Sequence, residues 1–160
     1  MRLFHGSDTL VDKPVIMTNH RSLDFGSGFY VTSSYEQAKS WARKVCYRNA
    51  SKHQYVNAYE FDSEAAACFL NVKRFDRADE EWLDYICACR MNRPVDEYDI
   101  VIGPVADDTV YSVVIRYENG DLDKQEALKR LKAENLKDQV LFHTEESLKY
   151  LKYEETEEVE

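Results

Sequence analysis

The chain has 160 residues, 44% hydrophobic and 32% charged, and its 30 acidic against 21 basic side chains give a formal charge of −9. That length and composition fit one globular domain and argue against wholesale disorder. No apolar run approaches the roughly 20 residues of a membrane-spanning helix, and the acidity disfavours non-specific nucleic-acid binding, which depends on neutralising phosphates.

In chain order, MRLFHGS reads as a short strand ending at Gly6, and it lacks the apolar region of a signal peptide. A soluble, cytoplasmic protein is the expectation. PVIMT reads as extended and GFYVT as a strand. From Ser34 the apolar spacing turns helical through Tyr35, Ala38, Trp41, Ala42, Val45 and Cys46, with Ser33 and Ser34 as candidate N-caps. QYVNAYEFD alternates as a half-buried strand would, and CFLNVKRF reads as a further extended piece. Asp76 or Asp79 can cap a helix with Trp82, Tyr85, Ile86 and Cys89 on one face, ending before Pro94. YDIVIGP is a short buried strand.

ADDTVYSVVIRYENG is rich in β-branched residues, yet Val110, Val113, Val114 and Tyr117 fit a helical stripe. DKQEALKRLKAEN is a helix, QVLFHT a strand, a helical turn starts at Glu145, and a last strand lies near YLKYEE. Strands and helices mix without strict βαβ alternation, so the expected class is α+β. The acidic end, 154–160, is expected to be solvated or frayed. The four cysteines lack CxxC spacing and are expected to be reduced, buried thiols rather than metal ligands.

Charge is uneven: residues 1–62 carry eight basic against six acidic side chains, and the remainder 13 against 24. The more basic half can hold a small anionic ligand, and two stretches there suggest a cleft. FHGS sets His5 at a strand end before Gly6, offering a ring nitrogen and unshielded backbone. DFGSGFYVTSS brings Gly26 and Gly28 ahead of Tyr30 and a capped helix start, whose free N–H groups favour an anionic or carbonyl-bearing ligand. Val31 stands where a third glycine would be needed, so the dinucleotide fingerprint GxGxxG is absent.

HGS, GSGFYVTSSYEQAKSWA and a late QVLF strand, in that order, together resemble the ADP-ribosyltransferase superfamily in its diphtheria-toxin and poly(ADP-ribose)-polymerase branch. The likeness spans Phe4 to about Tyr153 and looks closest to a small bacterial ADP-ribosyltransferase-like family. It implies a split antiparallel β-sandwich of ADP-ribosyltransferase type with flanking helices, as one domain over 1–153 followed by an acidic tail. It also implies NAD as substrate, with no metal. By the resemblance His5 bonds the adenosine ribose, the Gly6 backbone holds the nicotinamide amide, and Ser7 and Gly28 complete the binding wall. Tyr30 and Trp41, 11 residues apart, sandwich the nicotinamide ring. Ala38 stands where the polymerases have a serine, so by the resemblance one nicotinamide hydrogen bond is either missing or supplied by Ser33 or Ser34.

The family's glutamate is matched by Gln139. Breaking the nicotinamide–ribose bond develops oxocarbenium character that a carboxylate stabilises, and an amide carries no charge. Asp107 and Asp108 are candidates for a supplementary acid, with helix capping as their structural reading. Arg21 could meet the pyrophosphate. The resemblance implies a mono-ADP-ribosyltransferase, a bacterial toxin or effector, acting on a macromolecule, protein rather than nucleic acid, with an antitoxin-like neutralising partner. The alternatives are an inactive NAD- or ADP-ribose-binding module, an NAD glycohydrolase, and a nucleic-acid-directed transferase using Lys13, Arg21, Arg43, Lys44 and Arg48.

Overall fold

A computed structural model gives the fold and describes residues 1–18, 24–106, 108–132 and 136–160, without the side chains of 108 and 109. The protein is α+β, with two sheets and six helices among the described residues. The first sheet has the order β1 (Arg2–Ser7), β3 (Tyr55–Phe61), β7 (Leu151–Glu158), all antiparallel. The second runs β2 (Phe29–Val31), β6 (Asp138–Phe142), β5 (Ile100–Pro104), β4 (Val72–Arg74). Its β4–β5 pair is parallel and the others antiparallel. One bridge, Phe4 to Thr32, links the sheets where β1 passes the end of β2.

Apolar side chains fill the space between the sheets. Leu3, Tyr59 and Phe61 from one sheet meet Phe29, Val31, Ile100, Ile102, Val140 and Phe142 from the other. The rings of Phe61 and Phe142 sit edge to face at 5.2 Å, as their quadrupoles favour.

Helix α1 (Tyr35–Asn49) covers the outer face of the first sheet; Ser34 accepts from the Gln37 N–H at its start, as the sequence predicts. Helices α3 (Glu80–Arg90), α4 (Asp108–Glu118) and α5 (Lys124–Leu131) cover the outer face of the second. Asp79, rather than Asp76, caps α3 by accepting from the Trp82 N–H. Val110, Val113 and Val114 are buried in α4, so the helical stripe prevails over β propensity there.

Four expectations are corrected. Residues 63–69 form a helix, α2 (Ser63–Phe69), capped by Asp62, and only 72–74 of CFLNVKRF is strand. β3 is buried on nearly every residue instead of every second one, because α1 and the second sheet cover its two faces. Cys68 is exposed, while Cys46, Cys87 and Cys89 are buried free thiols. Burial pushes Cys87 up to about 12 and Cys89 up to about 11, so both stay protonated. The acidic end is mostly strand: β7 pairs with β3 as far as Glu158, and Val159 is buried with its N–H on Gln54 O. A short helix α6 (Glu145–Leu148), closed by a Thr144–Ser147 capping box, turns the chain into β7.

Candidate functional site

His5 sits where β1 and β2 part. Its Nδ1 lies 2.7 Å from the Tyr30 carbonyl oxygen. A carbonyl only accepts, so Nδ1 carries the proton and Nε2 is left as an acceptor. The ring rests on Phe29 at 4.5 Å between centroids. Burial lowers the His5 pKa below the ordinary 6.5, with the Tyr30 carbonyl opposing, so the imidazole is neutral near pH 7. Across the strand pair from His5 stands Asn57, fully buried. Its amide donates to His5 O and Thr9 O and accepts from Val11 N–H and Thr156 Oγ1, fixing the loop that follows β1.

The glycines expected to admit a ligand serve the packing of the chain itself. A Cβ on Gly6 would fall on the Ala38 carbonyl oxygen and stand 2.7 Å from the Ala42 nitrogen, so Gly6 lets β1 lie against α1. A Cβ on Gly28 would strike the Phe142 carbonyl oxygen and Leu141, so Gly28 lets the chain enter beside β6. Gly26, at φ +87°, makes the turn between them in a conformation that side chains resist. Ser7 is buried, its Oγ accepting from the Thr9 N–H.

Tyr30 closes the glycine turn. Its hydroxyl donates to Gly26 O at 2.6 Å and accepts from Phe25 N–H at 3.1 Å, and its ring packs against the α3–α4 core. Burial raises its pKa well above 10, so the phenol stays neutral. The ring thus serves this packing, while the carbonyl positions His5. Trp41 is 46% exposed on α1 and offers an open face. Ser33 Oγ donates to Asp138 Oδ1 at 2.7 Å, and Ser34 is the α1 cap, so both expected substitutes for the missing serine hold the β2–α1 turn.

Gln139 is 7% exposed on β6, opposite Gly103. Val140 and Phe142 enter the core between the sheets and Leu141 the core under α3 and α4, so alternation turns Gln139 toward those helices. Its amide lies beside Asp24, whose charge it helps hold, yet Nε2 makes no well-formed hydrogen bond. Asp24 Oδ1 accepts from Arg90 Nη1 at 3.2 Å and Oδ2 from Ala106 N–H at 3.1 Å, and Arg90 Nε donates to Glu118 Oε1 at 2.9 Å. Burial, opposed by Ala106 N–H, Arg90 and Gln139, raises the Asp24 pKa above its usual 3.8.

The structure joins His5 to the Tyr30 backbone and Gln139 to Asp24, but it sets the His5 and Gln139 side chains on opposite faces of their strands. Arg21 and Asp107 lie outside the described residues, as does the Asp108 side chain. Asp24, Arg90 and Asn57 have no motif of their own. The only sequence signal is an acid, Asp24, immediately before the glycine turn. Two open grooves lie elsewhere, one lined by Arg2, Glu154 and Glu155, the other between Phe75, Tyr85 and Tyr98. Among the described residues no three His, Cys, Asp or Glu side chains gather as metal ligands would, and no helix is long and apolar enough to cross a membrane.

A family model described as "Protein of unknown function (DUF3990)" matches residues 1–153. The chain belongs to the DUF3990 family. Neither the curated proteins nor the solved structures contain a match to it. The matched stretch of this DUF3990 chain holds every described residue of the His5 and Gln139 regions and the start of β7, so both regions belong to the family's own domain.

Proposed function

We propose that this protein binds NAD and transfers its ADP-ribose group to a macromolecular acceptor in the cytoplasm, on a split sandwich of the ADP-ribosyltransferase type. The observation that carries the reading is the His5–Tyr30 bond. It holds a neutral imidazole at the sheet margin with Nε2 ready to accept from a ribose hydroxyl. The ordered HGS, GSGFYVTSS and QVLF pattern supports it. So does a dinucleotide's length: His5 and Gln139 would serve its two riboses and need not share a face.

In that reaction the bond between nicotinamide and ribose breaks, nicotinamide leaves with the electron pair, and an acceptor nucleophile joins the ribose carbon and gives up a proton. Trp41 would lend its open face to the nicotinamide. Gln139 would hold ribose hydroxyls through its amide. The acceptor is a protein, and a small toxin-like enzyme of this kind would have a neutralising protein partner.

Nicotinamide release from NAD, with and without cell lysate, tests the reading. Release that needs lysate and is lost in His5→Ala supports a transferase, and release without lysate makes the protein a glycohydrolase. Absence of both release and NAD binding in the folded wild type rejects the assignment. One observation favours a second reading, an NAD- or ADP-ribose-binding module: position 139 is an uncharged amide. Binding without release in the wild type, with release gained in Gln139→Glu, would select it.

A further inference from the structure

The buried charges beside Gln139 bear on why that position is neutral. The Asp24, Arg90 and Glu118 side chains are only 13%, 11% and 12% exposed. Two carboxylates share one guanidinium, which also lies 4.5 Å over the Tyr111 ring. When all three are ionised the cluster keeps one net negative charge in a desolvated place. Among the described residues, the phenol Tyr30 and the thiol Cys89 also interact with Asp24, and burial holds both neutral. The Gln139 amide lies beside Asp24 in this cluster, buried and with Nε2 in no well-formed hydrogen bond.

We propose that Asp24 holds the carboxylate charge of this site, that Gln139 is neutral because of it, and that Gln139 is the positioning amide between Asp24 and the bound ribose. A glutamate at 139 would set a second uncompensated carboxylate against Asp24, and two like charges at close range cannot both ionise without large cost. An amide avoids that repulsion. It can donate toward Asp24 through Nε2 while its oxygen accepts from a hydroxyl. The negative charge then acts on the developing oxocarbenium from one residue further away. The ligand in this assignment rests on the NAD reading above, whereas the charge placement stands on the cluster alone.

The test uses the full chain in four forms: wild type, Asp24→Asn, Gln139→Glu and the double variant. Urea unfolding and nicotinamide release from NAD are measured on each at pH 8. Gln139→Glu is expected to lower the unfolding midpoint in wild type and to raise it in the Asp24→Asn background, where it replaces the missing charge. Nicotinamide release should fall about tenfold or more in Asp24→Asn and recover in the double variant, a rescue that a merely structural Asp24 would not give.

Equal effects of Gln139→Glu in both backgrounds overturn the charge placement whatever NAD does. Unchanged release in Asp24→Asn overturns its part in the site while leaving the NAD reading intact. A reversed midpoint with no NAD binding in any form sinks the NAD reading and keeps the charge placement. If Asp24→Asn does not fold, Glu118→Gln replaces it in the cycle, since it also relieves Arg90 of one carboxylate; additive effects there overturn the proposal equally.

Discussion

Where α1 lies closest to β1 the contact is between Gly6, Ala38 and Ala42, three residues with almost no side chain, flanked by the Phe4–Tyr35 ring pair. Where α3 and α4 meet the turn ahead of β2, Asp24, Arg90 and Glu118 make an ionic bridge through an otherwise apolar core. The first contact draws its energy from close approach and tolerates no added volume. The second depends on charge balance and does not tolerate loss of its one cation. His5 stands beside the first region and Gln139 beside the second, so the two halves of the candidate site should fail in different ways.

The largest expected effect is at the ionic side. Arg90→Leu leaves Asp24 and Glu118 buried without a counter-charge and should cost about 3–5 kcal/mol in urea unfolding. A loss below about 1 kcal/mol would mean the cluster is wetter than its burial indicates. On the close-packed side, Gly6→Ala forces a methyl onto the Ala38 carbonyl and should cost about 1–3 kcal/mol. Gly26→Ala is the control, because only His143 Cε1, 3.7 Å away, comes near its added Cβ and the strain is that of φ +87°. It should cost about 1 kcal/mol. Equal losses in the two variants would remove the distinction between collision and conformational strain.

A smaller effect is the pH dependence of His5. Its folded-state pKa lies below 6.5, so folding favours the neutral ring. The stability this contributes is present above pH 6.5 and is lost as pH falls through the lowered folded-state value. The stability difference between wild type and His5→Gln should therefore shrink between pH 7.5 and 5. His143 is also lowered by burial but remains in both proteins, so it cancels. A difference that holds constant across that range would show that His5 is not the group responsible. Smallest is Trp41→Ala, whose exposed ring should change stability by no more than about 0.5 kcal/mol. Loss of NAD affinity at unchanged stability would identify Trp41 as a ligand face, and unchanged affinity would leave it as surface.

Much of the fold was legible because its signals are local. The starts of α1 and α3, each narrowed to two candidate caps, the apolar stripe through Val110, Val113 and Val114, and the short QVLF strand declare themselves within a few residues. The α2 helix was not legible, since seven residues led by Ser-Glu-Ala-Ala-Ala-Cys-Phe give a period too short to weigh against the strand that follows. Nor was β7, whose run of glutamates resembles a solvated tail; its pairing with β3 satisfies the backbone whatever the side chains are.

The sequence by itself determined the α+β class, where the capped helices begin to within a few residues, and the strands that carry His5, Tyr30 and Gln139, because capping and periodicity act over one turn or one strand. The tertiary structure alone decided what those residues touch. It set Gly6 against α1, used the Tyr30 hydroxyl to close a turn, and brought Asp24, Arg90 and Glu118 together from three separate segments. Contacts between residues 66 or 28 positions apart, as from Arg90 to Asp24 and to Glu118, leave no pattern along the chain. Their geometry exists only once the sheets and helices have packed.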